Sequence, residues 1–334
     1  MDTLPTTTKA VVRNPDNTSE YKEMPLKTLE ADEVLVRVCY APINPSDVYY
    51  VRGDYPTSPE LENKAVICGF EGSGEIVAAG GEDKSRVGQK VCFITQEGTW
   101  TEYVILKAQM AIQVPPSMTL TEAANCFVNP CTVEGFIDTC KEKGHTTIVH
   151  SAAVSNLGRM LVKACQDAGI KLIGVVRRQE QVDILKSLGA ELYVNTGEEN
   201  WEEKASELFK KEGAQAFFDA VGGEAGSKVF KAMPNGTVTY CYGLLSEKDY
   251  NVGAMDLVFR QKVLKGWWLQ DCMVDPAKFG ELIQRAMKNL ATKAFKTEIC
   301  DTYPQEKFKE AIDFYMKNAT KGKIFLKNSN CSDC

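Results

Sequence analysis

The residues with the most legible chemistry stand in one turn, His150-Ser-Ala-Ala-Val-Ser-Asn-Leu-Gly158, where an apolar run gives way to a helix-period segment. Small side chains there let backbone N–H groups approach a phosphate, and a helix N-terminus favours its negative charge. Of the pattern Gly-x-Gly-x-x-Gly only Gly158 is present, so the turn alone reads equally as an ordinary strand-to-helix loop. The next apolar run ends at Arg177-Arg178, nineteen residues beyond Gly158. An acidic residue at that place holds a ribose 2′-hydroxyl, whereas arginine pairs with a 2′-phosphate. The arrangement points to NADPH, with Ala153, Ser155, Asn156, Leu157 and Gly158 at the pyrophosphate and Arg177 and Arg178 at the 2′-phosphate. The bland alternative is a solvated basic pair. Val221-Gly222-Gly223 and Tyr240-Cys-Tyr-Gly243 close later apolar runs, and the carboxyl ends of parallel strands are where such folds bind ligands. Their glycines suit plain turns as well.

Such a turn works only within alternating strands and helices. Residues 146–152, 171–177, 191–195, 214–221 and 237–243 read as strands, most of them the apolar, β-branched runs of a buried parallel sheet. Between them, 157–168 places Leu157, Met160, Leu161, Ala164, Cys165 and Ala168 on one helical face, and 179–188 and 202–211 repeat the amphipathic pattern. The alternation predicts a doubly wound parallel sheet. Upstream, 9–13, 33–40, 72–79, 89–95 and 101–107 read as strands separated by Gly, Pro and Asp turns, a mostly antiparallel barrel-like domain. After about 265, one strand, helices around 276–290 and 305–318 and a last strand at 323–326 are too little for a domain of their own. They are expected to complete the first. The expected fold class is α/β, with one domain of residues 1–125 and 265–334, a nucleotide domain of 126–264, and hinges near 123–128 and 264–268.

At 334 residues the chain exceeds one compact core, and two domains leave a cleft suited to a small-molecule substrate. A net charge of -6 without runs of like charge argues against nucleic-acid and anionic-membrane partners. No run of about 18 apolar residues reads as a membrane span, and residues 1–8 carry no leader pattern, which points to the cytoplasm. The 12 cysteines, among them Cys39, Cys92, Cys165 and Cys241, are scattered, which suits small buried hydrophobes in a reducing compartment better than a disulfide framework. Cys331 and Cys334 have Cys-x-x-Cys spacing. With only His145 and His150 to help, they read as a frayed tail rather than a metal site.

Over nearly the whole chain the pattern resembles the medium-chain dehydrogenase/reductase superfamily, through Gly69-Phe-Glu-Gly-Ser-Gly74, Val87-Gly-Gln-Lys-Val91, Leu188-Gly-Ala190 and Gly322-Lys-Ile324. The resemblance implies a GroES-like catalytic domain beside a Rossmann domain. Zinc-dependent members carry an early Cys, a His just before the residue matching Glu71, and a four-cysteine lobe. Here Ala41-Pro-Ile-Asn-Pro-Ser-Asp47, Phe70, and a direct run from Phe93 to Gly98-Thr-Trp100 stand in those places. Phe cannot ligate zinc, so no metal site is expected and alcohol oxidation through a metal-bound alkoxide is disfavoured. Within the zinc-free branch, Ile43-Asn-Pro-Ser-Asp47, Gly53-Asp-Tyr-Pro56, Gly98-Thr-Trp100, Val128-Asn-Pro-Cys-Thr132, Val175-Val-Arg177 and Lys265-Gly-Trp-Trp268 are similar to the trans-2-enoyl-thioester reductases and, more distantly, the quinone oxidoreductases.

What the resemblance implies for single residues follows from those stretches. Tyr55 is the candidate acid, since hydride addition beside a conjugated carbonyl leaves an enolate that needs a donor and then a proton. Asn44 is expected at the nicotinamide ribose or substrate, Thr132 and Lys323 at the cofactor, and Trp100 and Trp268 along the substrate pocket. Each has a plainer role open to it: a turn residue beside Pro56 for Tyr55, a turn residue before Pro45 for Asn44, a helix cap for Thr132, a surface lysine for Lys323 and core packing for the tryptophans. A homodimer is implied, through edge pairing near 237–243. The chain departs from the enoyl reductases at Val133-Glu134, where Ala-Tyr is usual, and at Phe70, where Asn is usual. The expected activity is NADPH-dependent reduction of an activated C=C bond in an enoyl thioester, enal or enone. A quinone oxidoreductase and a non-catalytic, crystallin-like cofactor binder are the alternatives.

Overall fold

The structure is a computed structural model that describes residues 4–81, 84–318 and 320–331. The chain forms two compact units, one running to Val128 and resuming at Thr297, the other spanning Asn129–Lys296.

In the first unit the long strand Glu33–Pro42 is the axis of a seven-stranded sheet. Glu71–Ala79, Lys90–Ile94 and Ile112–Gln113 follow on one side, and Tyr103–Lys107, Lys323–Lys327 and Ile299–Pro304 lie on the other. All pairings are antiparallel except the last, between Ile299–Pro304 and Lys323–Lys327. A second, three-stranded sheet joins Ser19–Pro25, Thr7–Arg13 and Val66–Ile67. The strand Ser19–Pro25 is absent from the sequence reading because Ser-Glu-Tyr-Lys-Glu-Met-Pro buries no residue fully and shows no apolar alternation.

The second unit is a six-stranded sheet, Tyr193–Asn195, Lys171–Val176, Thr147–His150, Ala216–Asp219, Val238–Cys241 and Val263–Gly266, parallel throughout. In sequence order this is 3-2-1-4-5-6, the doubly wound order whose direction reverses at the first strand. The fold is thus the α/β class expected. Its limits differ. The sixth strand and the helix Pro276–Ala291 belong to this unit, so 265–296 do not complete the first, and the stretch 264–268 begins in an edge strand rather than crossing between units. Val-Leu-Lys-Gly is short and solvent-facing, which hides a strand from a search for buried apolar runs. Val238–Cys241, expected at an edge, lies between two strands.

Candidate active site

Asn44 caps the helix Pro45–Arg52 in an extended conformation with Pro at the first helical position, where the missing N–H costs nothing. Its backbone N–H donates to Asp47 Oδ2 at 2.7 Å, and Asp47 Oδ1 takes the Phe70 N–H at 3.1 Å. The Asn44 carboxamide donates to Glu71 Oε1 at 2.9 Å and accepts from the Lys323 ammonium. Glu71 Oε2 accepts the N–H groups of Phe127 and Val128 at 2.9 and 3.0 Å. All four side chains are buried, Lys323 at 3% exposure being the least so. Burial dominates their acidities: it pushes Asp47 up to about 7, raises Glu71, and lowers Lys323 to about 8 against the pull of both carboxyls. Asn44 has no exposed surface and both ends of its carboxamide are engaged, so it braces this buried cluster. Lys323 is not a surface lysine; its buried ammonium donates to Asn44 within the field of the two carboxyls.

Phe70 connects this polar core to an aromatic face. Its ring lies 5.3 Å from Tyr55 and 5.1 Å from Tyr50, and Tyr50 lies 6.4 Å from Tyr55. Gly53, at φ 82°, ends the helix in the left-handed region and turns the chain into Tyr55, which is half-buried. Trp100 is fully buried, its Nε1 donating to the Pro42 carbonyl at 3.2 Å. It packs in the core cluster with Ile43 and Leu326, as the plainer of the two roles open to it requires.

In the second unit the small-residue turn stands where the strand order reverses. Ser155 caps the helix Asn156–Ala168, its hydroxyl accepting the Gly158 N–H at 3.1 Å. A Cβ on Gly158 would run into the carbonyls of Ala152 and Ala153, so only glycine allows this approach of helix to strand. Ala153 and Leu157 pack beneath the turn, and both polar atoms of the buried Asn156 carboxamide lack a hydrogen-bond partner. A helix N-terminus with an unsatisfied amide beside it fits a dinucleotide pyrophosphate. Arg177 is exposed at the end of its strand and makes no ion pair among the described residues, while Arg178 lies 3.8 Å from Glu180.

The remaining nucleotide candidates are placed differently. Asp219 takes the N–H groups of Val221 and Gly222, both at 2.9 Å, with the Ser151 hydroxyl at 2.5 Å and the Tyr250 hydroxyl. Those two N–H groups are therefore spent within the protein. Asp219 and Tyr250 escaped the sequence reading, though an acid closing the apolar run Ala216-Phe-Phe is a signal. Tyr240 is a core residue, stacked 4.9 Å from Phe218 with its hydroxyl 3.4 Å from His145. A Cβ on Gly243 would lie 2.7 Å from the Ala220 carbonyl, so this glycine permits a tight crossing. Thr132 lies buried within the helix Val128–Lys143, beyond its first turn, and so is not its cap. Trp268 is 39% exposed where the helix Leu269–Met273 begins.

Cys39 and Cys331 form a disulfide with Cα atoms 5.3 Å apart, against the expectation of a frayed tail and unbridged cysteines. The strand Lys323–Lys327 runs beside Glu33–Pro42 and delivers Cys331 there from 292 residues away, a separation that hides the pair in sequence. Cys334 lies outside the described residues.

Residues 30–116 match the alcohol dehydrogenase GroES-like domain and 157–288 the zinc-binding dehydrogenase domain. The human mitochondrial enoyl-[acyl-carrier-protein] reductase is 28% identical over 323 residues, 94% of this chain and 86% of that protein. The chain belongs to the medium-chain dehydrogenase/reductase superfamily. It is an oxidoreductase of that superfamily. A solved structure assigned as an NADPH:quinone reductase from Mesorhizobium loti superposes with a TM-score of 0.84 at 29% identity, covering 97% of this chain and 99% of that one. A mutant form of the enoyl thioester reductase from Candida tropicalis shares the fold, with a TM-score of 0.80 at 19% identity over 96% and 99% of the two chains.

The zinc in the name of that superfamily domain does not fit these residues. Phe70 offers no donor, and among the described residues no group of three His, Cys, Asp or Glu side chains is placed to hold a metal. The departure at Glu134 has a structural account. Its carboxylate accepts from Arg285 Nε at 2.9 Å and Asn289 Nδ2 at 2.8 Å, tying the helix Val128–Lys143 to Pro276–Ala291.

Proposed function

We propose that this chain reduces an activated C=C bond, in an enoyl thioester, enal or enone, using NADPH and with Tyr55 as general acid. The observation that carries the reading is the Tyr55–Phe70 contact. Where zinc-dependent members have a ligand this chain has a ring, and against that ring stands a phenol.

A bound NADPH supplies a hydride. The chain's own residues supply the rest. Charge arriving on the carbonyl oxygen of a conjugated substrate needs a donor, and the Tyr55 hydroxyl can hydrogen-bond that oxygen and then release its proton. A phenol, with a reference pKa of about 10, is protonated at neutral pH, and a positioned acid contributes roughly 10²- to 10⁴-fold. Tyr50 and Phe70 fix its ring and keep water from that side. Asp47 holds the Phe70 backbone, so the buried carboxyl cluster sets the ring on which Tyr55 rests. For the cofactor, the turn around Asn156 and Gly158 would hold the pyrophosphate, and the exposed Arg177 the 2′-phosphate.

Tyr55→Phe is the test. Turnover of crotonyl thioester should fall about 100-fold with NADPH affinity, read by fluorescence titration, unchanged; undiminished turnover would remove Tyr55 from the chemistry. The likeness to a structure assigned as a quinone reductase favours a second reading, hydride transfer to a quinone, which a substrate panel scored by NADPH absorbance separates. Tight cofactor binding with no acceptor in that panel reduced would instead indicate a non-catalytic, crystallin-like role.

The proposal includes a homodimer. The edge strand Val263–Gly266 is paired on one side, beside exposed Met255, Val258, Phe259 and Val263, which supports edge-to-edge pairing of two copies. Phe259→Glu should then give a monomer by light scattering.

A further inference from the structure

Asp219 closes the strand Ala216–Asp219, the fourth of the second unit, and has no exposed surface. Its carboxylate takes the hydroxyls of Ser151 and Tyr250 and the N–H groups of Val221 and Gly222. The Ser151 oxygen itself accepts the Ala220 N–H at 2.8 Å, so its own proton points to Asp219. Every group that reaches the carboxylate is thus a donor, the pattern around an ionised acid. No ammonium or guanidinium pairs with it among the described residues. Burial, and then the charge of Asp219, raise the Cys241 thiol and the Tyr242 and Tyr250 phenols. Those neighbours are neutral at physiological pH, and the field of the carboxylate is felt at the end of the fifth strand. The helix Gly223–Ala232 begins just beyond, and the positive end of its dipole answers about half a charge. A buried charge is ordinarily matched by a full one.

The place of Asp219 says what would match it. Gly158 follows the first strand and Arg177 the second. A dinucleotide with its pyrophosphate and 2′-phosphate at those residues extends across the reversal of strand order, toward the ends of the fourth and fifth strands. The half that reaches this side is the nicotinamide. Hydride leaving that ring carries two electrons to the β-carbon of the acceptor, where a C–H bond forms as the ring's C–H bond breaks. Tyr55 supplies the proton to the acceptor, and the ring is left with one positive charge.

We infer that Asp219 is the counter-charge of the oxidised nicotinamide, favouring the ring as positive charge develops on it and so drawing hydride out of NADPH. This rests on the reductase reading above and deepens it. Asp219 is buried and acts through its field rather than by contact, as a preorganised charge does where charge develops.

NADP⁺ and NADPH share their adenosine and pyrophosphate and differ in the charge of one ring, so the ratio of their dissociation constants isolates that charge. Calorimetry on the full-length protein measures both. Asp219→Asn should move the ratio about tenfold in favour of NADPH, as one charge does when removed at roughly 10 Å with an effective dielectric of about 20. A ratio that moves less than about threefold, whether both affinities fall or neither does, makes Asp219 a brace of the turn and overturns the inference. If that variant does not fold, Tyr250→Phe replaces it. Stripping one donor from the carboxylate strengthens its field and should move the ratio about threefold toward NADP⁺, and no movement overturns the inference equally. If wild type binds both cofactors but reduces neither crotonyl-CoA nor an enone, the reductase reading fails while the ratio still decides whether Asp219 answers the ring. If wild type binds neither, both readings fall.

Discussion

The ammonium of Lys323 donates to the side-chain oxygen of Asn44, joining the final strand to the first helix across 279 residues. Through Asn44 it reaches Glu71, which in turn holds the backbone at Phe127 and Val128. One hydrogen-bonded core thus ties together the start, the middle and the end of the first unit. A buried lysine is tolerable there because two buried carboxyls surround it.

Lys323→Met should cost about 3–5 kcal/mol of stability, because it leaves those carboxyls buried without a cation. Urea unfolding measures it. Pairing the change with Glu71→Gln should recover part of the loss, and a cost below about 1 kcal/mol would show that the ammonium compensates nothing.

The same cluster predicts a pH dependence. Asp47 is raised from 3.8 to about 7 in the folded state, so the fold favours its neutral form, and stability should fall as pH rises from about 4 to 7. Lys323 is lowered from 10.5 to about 8, so its penalty is present below pH 8 and is relieved between about 8 and 10.5. Their joint contribution is least favourable between pH 7 and 8, with about 1.4 kcal/mol at stake for each tenfold change in acidity. Melting curves of Asp47→Asn against wild type should differ in slope between pH 4 and 7, and parallel curves would contradict the assignment.

Arg177→Ala should weaken NADPH binding about 10- to 100-fold and leave NADH within about twofold, since a charged hydrogen bond to phosphate is worth roughly 1.5–3 kcal/mol. Arg178→Ala should do less, its side chain already lying near Glu180. Fluorescence titration with both cofactors decides it, and an equal loss for the two would separate Arg177 from the 2′-phosphate.

Gly158→Ala should destabilise the second unit by about 1–3 kcal/mol and weaken NADPH binding, because the added carbon meets two carbonyls that cannot move apart without lifting the helix. Gly280→Ala serves as control. That helical glycine has open space around it and should gain up to about 1 kcal/mol in the same thermal melts.

Much of the nucleotide unit was legible because its signals are local. A buried parallel strand must be apolar along its length, a helix must repeat its apolar face every 3.6 residues, and the phosphate turn must be small, so Ile148, Leu161 and Gly158 each announce their surroundings. Strands without that constraint, Ser19–Pro25 and Val263–Gly266, went unread, and the unit boundary moved with the second. Among site residues, Tyr55 and Arg177 lie on half-buried or exposed surface. Asn44, Trp100, Tyr240 and Lys323 do not, since the residue types that bind ligands are also those that satisfy buried polar groups and fill cores.

The sequence by itself determined the two-unit α/β fold, its superfamily and the mismatch with zinc, because periodicity and the identity of Phe70 need no partner to be read. Only the tertiary structure decided that Lys323 answers Asn44 and Glu71, that Cys39 meets Cys331, and that Asp219 is buried among neutral groups. Those facts depend on which distant segments share a low-dielectric interior, where a charge is defined by its neighbours. Spacing along the chain carries no record of them.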